Sequence, residues 1–209
     1  MPRPDRLAFE ELVRTQPLER IVEDHLFGDE PFAFDVWPEG WPLLRTHLAT
    51  RFDVPEAGVV LVGSGKLGFS MNPDSYGRQF SSSSDLDLVI VSEVRFDEIW
   101  EHLLRWPYPR SRHSLGSELQ VWRADRRRDV FLGRFEPAKL VPRGEMFTSL
   151  PEALRDASTL WFDTLRGVGT LDPKLAARDY NGRLYRTWKH ALLYHAEGLR
   201  AIRPQLEAS

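Results

Sequence analysis

Two stretches decide the fold, Val59-Val60-Leu61-Val62-Gly63-Ser64 and Ser84-Asp85-Leu86-Asp87-Leu88-Val89-Ile90-Val91. Short runs of valine, isoleucine and leucine bounded by glycine or serine are typical of buried strands. On a strand, side chains two positions apart point to the same face, so Asp85 and Asp87 would share one face while Leu86 and Leu88 contact the core. Two like charges at a buried strand repel each other unless a cation lies between them. The pair therefore predicts a site for a divalent metal such as Mg²⁺.

The glycine turn that follows the first strand, Gly63-Ser64-Gly65-Lys66-Leu67-Gly68, fits three motifs loosely. A P-loop is excluded because Leu67 stands where a serine or threonine should contact the metal. The letters match a dinucleotide fingerprint, but that motif must open a helix, and residues 69–84 contain Asn72-Pro73-Asp74 and several serines. A nicotinamide-dependent oxidoreductase therefore stays open only if residues 66–80 are helical. In the third interpretation, backbone N–H groups of the turn hold the phosphates of a nucleotide whose metal is bound by the two aspartates.

The strings Val62-Gly63-Ser64 and Ser84-Asp85-Leu86-Asp87-Leu88 resemble the signature of the DNA polymerase β-like nucleotidyltransferase superfamily, in which a helix precedes the first strand. The resemblance covers residues 42–92. It implies that Gly63 and Ser64 contact the triphosphate and that Asp85 and Asp87 bind catalytic Mg²⁺ or Mn²⁺. More narrowly, the turn resembles those of nucleotidyltransferases from bacterial phage-defence and toxin–antitoxin systems. The gap between turn and aspartates is longer than the family's, and we interpret Met71–Phe80 as an insertion that forms a flap.

Lys66 lies in the same turn, where it would either neutralise phosphate or serve as a surface lysine without a role. The resemblance also implies a third carboxylate from a later strand, which activates the attacking hydroxyl. The candidates are Glu118, Asp125 and Asp129. Asp129 directly precedes an apolar run and is predicted as the third catalytic and metal-binding residue, with a turn residue paired to arginines as the alternative.

The rest of the chain predicts an α+β fold, a small mixed nucleotidyltransferase sheet flanked by helices. Two short helices or one kinked helix are expected in residues 5–26, a helix in 42–52 and another in 96–106. Residues 118–124 and 129–135 are predicted as strands, and everything from Pro151 as helical, ending in a long helix over residues 176–202. We expect a core with N-terminal helices in residues 1–145 and a helical C-terminal region in 146–209.

The predicted last helix carries a basic stripe of Arg183, Arg186, Lys189 and His190 beside several aromatic residues. Tyr185 and Lys189 are the candidates for nucleotide binding, by stacking on a base and by contacting phosphate. The alternative is a solvated helix face over a tryptophan and tyrosine core.

Composition sets the outer limits of the function. The 209 residues carry a net charge of −3, so no global basic field would hold a long nucleic acid. The absence of cysteine excludes disulfides, cysteine nucleophiles and thiolate metal sites. The charged N-terminus has no apolar signal core and no apolar run is long enough for a membrane span, so we expect a cytoplasmic protein.

The predicted activity is metal-dependent transfer of a nucleoside monophosphate from a nucleoside triphosphate to a hydroxyl. The acceptor would be a nucleotide, an oligonucleotide 3′ end or a protein, and a role in phage defence follows only from the narrower resemblance. The alternative is a catalytically inactive nucleotidyltransferase-type binding module that acts as an antitoxin or partner subunit. The third carboxylate distinguishes the two functions.

Overall fold

The computed structural model describes residues 3–28, 30–105, 117–141, 150 and 152–207, with only the backbone for 117–119. Helix α1 (Arg6–Thr15) begins at Asp5, whose side chain accepts a hydrogen bond from the Ala8 amide. Helix α2 (Leu18–Ile21) follows Pro17 and continues as a π-helical turn, Val22–Leu26. The two short helices predicted for this part of the chain are confirmed.

The central segment matches the expected order of helix, strand, turn and strand. Helix α3 (Gly40–Phe52) leads through a short turn into strand β1 (Val59–Val62). A short helix, α4 (Gly63–Leu67), follows directly, and strand β2 (Leu86–Val91) begins after a long irregular segment. Helix α5 (Glu93–Arg105) then packs beside the sheet, and the predicted end of this helix at residue 106 lies outside the described residues.

Four strands form one mixed sheet in the order β1-β2-β4-β3, completed by β3 (Arg134–Phe135) and β4 (Tyr180–Tyr185). β1 and β2 are antiparallel, β2 and β4 are parallel, and β3 is antiparallel to β4. The predicted α+β fold with a small mixed sheet flanked by helices is thus confirmed. The expected domain boundary at residue 145 lies outside the described residues.

The two strands predicted for residues 118–124 and 129–135 were wrong, because Ser117–Phe131 forms helix α6 and only Arg134–Phe135 is extended. In this segment, short apolar groups are separated by charged residues, and this pattern resembles the apolar and polar alternation of a strand. The charges are instead spaced for a helix: Arg126 pairs with Asp129 and Arg128 with Asp125, three positions apart in each case. Gly133, at a φ of 60°, then reverses the chain into β3.

The long helix predicted for residues 176–202 was also wrong over its first half. Helix α8 (Pro173–Ala176) ends before β4, and the last helix, α9, spans Trp188–Glu207. The missed strand has an alternating pattern, but Gly182 occupies an inward position and contributes no apolar signal. A side chain at that position would collide with the ring of Trp161, since an added Cβ would lie 2.1 Å from it.

Helices cover both faces of the sheet. One face packs on α3, α5 and α7 (Glu152–Leu171) in a large apolar cluster that includes Leu86, Leu88, Ile90 and Trp161. The other face lies under α9, which also packs on α1 and α2. None of the helices in the described ranges combines the length and apolar composition that crossing a membrane requires.

Candidate functional site

The predicted aspartate pair lies at the start of β2, on the face of the sheet that α9 covers. Asp85 is exposed and Asp87 half-buried, while Leu86 and Leu88 are buried in the opposite cluster. Burial raises the pKa of the Asp87 carboxyl to about 6, against the lowering influence of Arg183 and with a further increase from Asp85. The geometry expected of an Asp-x-Asp strand is therefore present, with one carboxylate in solvent and one held at a desolvated position.

Gly63 lies against Asp87. Its φ is 67°, and a Cβ added there would lie 2.6 Å from the Asp87 Oδ2. Both the backbone conformation and the close approach therefore require glycine at this position. Ser64 is half-buried in the next position, and its carbonyl accepts a hydrogen bond from the Gly68 amide. The start of the turn and Asp87 are thus in direct contact.

Asn181 of β4 is the residue opposite Asp87 in the parallel pair of strands. Its Nδ2 donates a hydrogen bond of 2.8 Å to the Asp85 Oδ2. The neighbouring strand therefore presents an amide to the carboxylate pair. Asn181 was not predicted as a site residue, because this segment was predicted as a helix, where no contact with β2 is expected.

Arg183 lies two residues further along β4, on the same face. Its Nε is 3.5 Å from the Glu136 Oε1, and its guanidinium carbon lies 5.0 Å from the centre of the Tyr194 ring. Arg134 of β3 contacts the same ring at 4.4 Å. Burial alone would raise the pKa of Glu136, but Lys139, Arg183 and Arg134 together hold the pKa of this carboxyl below its usual range. The face beside the aspartates is thus a row of alternating charges.

Asp129, the predicted third carboxylate, lies on α6 and not on a strand. It is buried and pairs with Arg126 at 2.7 Å. Among the residues that the structure describes, no three His, Asp or Glu side chains are close enough together to hold a metal ion. The structure therefore joins Asp85 with Asp87 but does not add Asp129 to them.

Lys66 is buried within α4. Its Nζ donates hydrogen bonds to the carbonyls of Gly28 (2.8 Å) and Glu30 (3.3 Å). These contacts attach the turn to the loop before α3. Its position is thus neither that of a surface lysine nor that of a side chain extended into the site.

The predicted basic stripe does not exist as one helix face. Arg183 lies in β4, and Arg186 pairs with Asp97 at 2.9 Å. Tyr185 is fully buried under α9, so a base has no access to its ring in this conformation. Lys189 is exposed on α9 and lines a cavity of about 510 Å³ together with Trp188. Trp188 is 38% exposed and, like Phe27, lines this cavity, whereas Tyr185 was the aromatic residue predicted to stack on a base.

The segment between α4 and β2 is irregular, so residues 66–80 do not form the helix that an oxidoreductase would need. The helix ends at Leu67, and beyond it residues 68–80 contain only a short 3₁₀ turn, Pro73–Ser75. Phe69 and Gln79 form an isolated bridge, and the Ser70 amide donates to the Arg78 carbonyl. The dinucleotide interpretation of the glycine letters was therefore wrong, because no helix extends through residues 66–80.

Comparisons with known proteins gave no relative of this chain: no family model matches it, and no curated protein or solved structure is significantly similar to it.

Proposed function

We propose that this chain binds a nucleoside triphosphate together with Mg²⁺ or Mn²⁺ at Asp85 and Asp87. The observation that carries the proposal is the contact between the glycine turn and the pair: the Gly63 backbone lies against the Asp87 carboxylate, while Asp85 faces solvent. Because Gly63 has no side chain, the backbone of the turn lies close to the Asp87 carboxylate, and its N–H groups could hold phosphate oxygens whose cation the two aspartates bind. Gly63 and Ser64 are the proposed phosphate contacts.

The donor set fits a hard divalent cation. Asp85 and Asp87 supply carboxylate oxygens, and Asn181 brings a carboxamide whose oxygen is also a suitable ligand atom. The raised pKa of Asp87 shows that its charge lacks full compensation, and a cation would provide that compensation. When bound, the cation would neutralise the phosphates of the nucleotide.

Of the two functions predicted from the sequence, binding without transfer is the better supported. Transfer of a nucleotidyl group needs a base for the attacking hydroxyl, which the resemblance would take from a third carboxylate. In the described part of the chain, the strand next to β2 offers Asn181 at the position opposite Asp87, and an amide does not accept that proton. We therefore favour a nucleotidyltransferase-type binding module that acts as an antitoxin or as a subunit of a larger assembly.

Nucleotidyl transfer is the second candidate, and the exposed carboxylate of Asp85 is the observation that favours it. In that reaction the acceptor hydroxyl oxygen would form a bond to the α-phosphorus while the bond to the pyrophosphate leaving group breaks. The hydroxyl proton would pass to the Asp85 carboxylate and then to solvent. The acceptor would be a nucleotide, an oligonucleotide 3′ end or a protein hydroxyl.

Equilibrium dialysis with labelled ATP, GTP, CTP and UTP in Mg²⁺ or Mn²⁺ tests the proposal, and pyrophosphate release is measured in the same samples. We expect metal-dependent binding that is lost in Asp85→Ala/Asp87→Ala. The control is Glu98→Ala/Glu101→Ala, which removes two acids that pair with arginines on α5.

Three outcomes are informative. Binding without pyrophosphate release supports the binding module, and release that requires both aspartates supports the transferase. Nucleotide binding that persists in the Asp85→Ala/Asp87→Ala variant would overturn the site assignment.

A further inference from the structure

A second cavity lies between α9 and the irregular segment that follows α4. Its volume is about 340 Å³, and it is lined by Met71 on one side and by residues of α9 on the other. The lining residues of α9 are Tyr194, His195, Glu197, Gly198 and Leu199. Most of this surface is apolar or aromatic, which suits a flat organic group better than a phosphate.

His195 lines the cavity, and one of its ring nitrogens has no hydrogen-bond partner among the residues that the structure describes. Its Nε2 is buried and makes no hydrogen bond, and the ring is surrounded by Phe27, Tyr185 and Tyr194. Burial lowers the pKa of His195 to about 4, with further lowering from Arg183 and Arg134, so the imidazole is neutral at pH 7. A buried polar atom without a partner is rare in a folded protein and calls for an explanation.

Gly198 is the second unusual feature of this wall. It lies in the interior of α9, where glycine is less favourable than alanine. A Cβ added there would meet no atom within 4 Å, so packing inside the protein does not require glycine at this position. The small residue leaves the backbone of α9 open to the cavity.

Two side chains, Arg183 and Tyr194, connect the aspartate pair with the cavity. Asp87 interacts electrostatically with Arg183, whose guanidinium lies over the ring of Tyr194. Tyr194 in turn lines the cavity and has its ring centre 5.3 Å from that of His195. A ligand whose phosphates lie at Asp85 and Asp87 could therefore extend past Arg183 into this space.

We infer that the cavity bounded by Met71, Tyr194, His195 and Gly198 receives the base of the nucleotide whose phosphates bind at Asp85 and Asp87. The inference rests on the proposed function and adds the base-binding side of that site. An uncharged heteroaromatic ring would lie against Met71 and Tyr194. A rotation of the buried His195 ring would let its Nε2 exchange one hydrogen bond with the base. The other wall would be the bare backbone at Gly198.

The test separates the base from the phosphates. Binding of each nucleoside triphosphate, of inorganic tripolyphosphate and of each free nucleoside is measured by calorimetry with Mn²⁺. The proteins are wild type, Gly198→Leu, Gly198→Ala and His195→Leu. Leucine at residue 198 fills the cavity and alanine is the matched control, and both residues favour a helix over glycine.

We expect Gly198→Leu to weaken the binding of triphosphates by about tenfold or more, and to change tripolyphosphate binding by less than about twofold. Gly198→Ala should behave like wild type toward tripolyphosphate. His195→Leu should reduce the difference in affinity between the four bases, because it removes the polar contact in the cavity.

The failure of the inference differs from the failure of the proposed function. Equal binding of nucleotides by Gly198→Leu and wild type, with metal-dependent tripolyphosphate binding intact, would overturn the base site alone. Nucleoside binding that is sensitive to Gly198→Leu but independent of metal and of Asp85 and Asp87 would support the cavity and overturn the proposed metal site. No binding of any probe by wild type would overturn both.

Discussion

The two faces of the sheet are made by the same strands and are built in opposite ways. On one face, Leu86, Leu88 and Ile90 pack in a continuous apolar cluster with Trp161 of α7. On the other face, Asp87 and Arg183 begin a row of charges that continues to Glu136 and Arg134. Burial of the apolar face stabilises the folded protein. The charged face contains desolvated groups, and each of these destabilises the folded protein unless it has a partner. The difference shows that one side of the sheet is packed by apolar side chains alone, whereas the other combines a smaller apolar cluster with the row of charges.

The largest effect of a single substitution is expected on the apolar face. We expect Gly182→Ala to lower the free energy of unfolding by about 3 kcal/mol, because the new Cβ overlaps a fully buried ring. That Cβ would lie 2.1 Å from the Trp161 ring, which has no space to move. Urea denaturation measures the change.

The matched control for this variant is Gly169→Ala on α7. Its Cβ would be 3.5 Å from the Ala176 Cβ, an ordinary contact, so the helix should gain up to about 1 kcal/mol. Equal stability of the two variants would contradict the assignment of Gly182 to a tightly packed position.

The charged face should respond in the opposite direction. In the metal-free protein, Asp87→Asn should raise the free energy of unfolding at pH 7 by about 2 kcal/mol, because it removes a desolvated charge. The pKa of Asp87 is raised to about 6, so between about pH 4 and pH 6 the folded protein binds more protons than the unfolded chain. The contribution of Asp87 to the free energy of unfolding of the wild type therefore falls as the pH rises from about 4 to about 6. The Asp87→Asn variant should not show this pH dependence.

Asp85→Asn is the control for the pH dependence, because it keeps the buried Asp87 carboxyl. The fall in stability should persist in this variant, although it should be smaller, since Asp85 adds to the increase in the pKa of Asp87. Denaturation curves at several pH values, with metal removed by a chelator, give the slopes. A wild-type stability that instead rises between about pH 4 and pH 6 through Asp87 would contradict the burial of its carboxyl.

A smaller effect separates structural from ligand-binding roles of the glycine turn. We expect Lys66→Met to lower stability by about 1.5 kcal/mol, since it removes hydrogen bonds to the Gly28 and Glu30 carbonyls. Tripolyphosphate binding should change by less than about twofold. Lys174→Met on the exposed side of α8 is the control, and a large loss of phosphate binding specific to Lys66→Met would assign it to the ligand.

The finest change alters the charged face by one atom. Asn181→Asp places a third carboxylate beside Asp85 and Asp87 and should increase Mn²⁺ affinity by about tenfold, measured by calorimetry. Asn181→Ala removes the donor to Asp85 without adding charge and should not show the gain. Unchanged Mn²⁺ affinity in Asn181→Asp would indicate that the cation does not bind at this end of the strands.

Much of the apolar face could be predicted from the sequence, because strands such as Val59–Val62 and Leu86–Val91 carry strong local signals. The positions of Asp85 and Asp87 followed from the two-residue period of a strand. β4 could not be found in the same way. Its inward residues include Gly182, and its outward residues include Asn181 and Arg183, so few apolar side chains mark its alternating pattern.

The wrong prediction for β4 also led to wrong predictions for site residues. With residues 176–202 predicted as a helix, Arg183 joined a false stripe and Tyr185 was expected at the surface, whereas the sheet buries it. Asn181 was therefore not among the predicted site residues. For Asp129, ion pairs spaced three residues apart on α6 were the available signal, and they favour a helix over the strand that we predicted.

The parallel pairing of β2 with β4 also has a consequence for folding while the chain is being synthesised. The Asn181 to Asp85 hydrogen bond joins residues 96 positions apart, so β2 is translated long before its partner. At about 5–20 residues per second, β2 waits for about 5–20 s with one edge unpaired. An unpaired apolar edge is a site of aggregation, so mutations that delay β4 should reduce the yield of soluble protein before they affect the mature site.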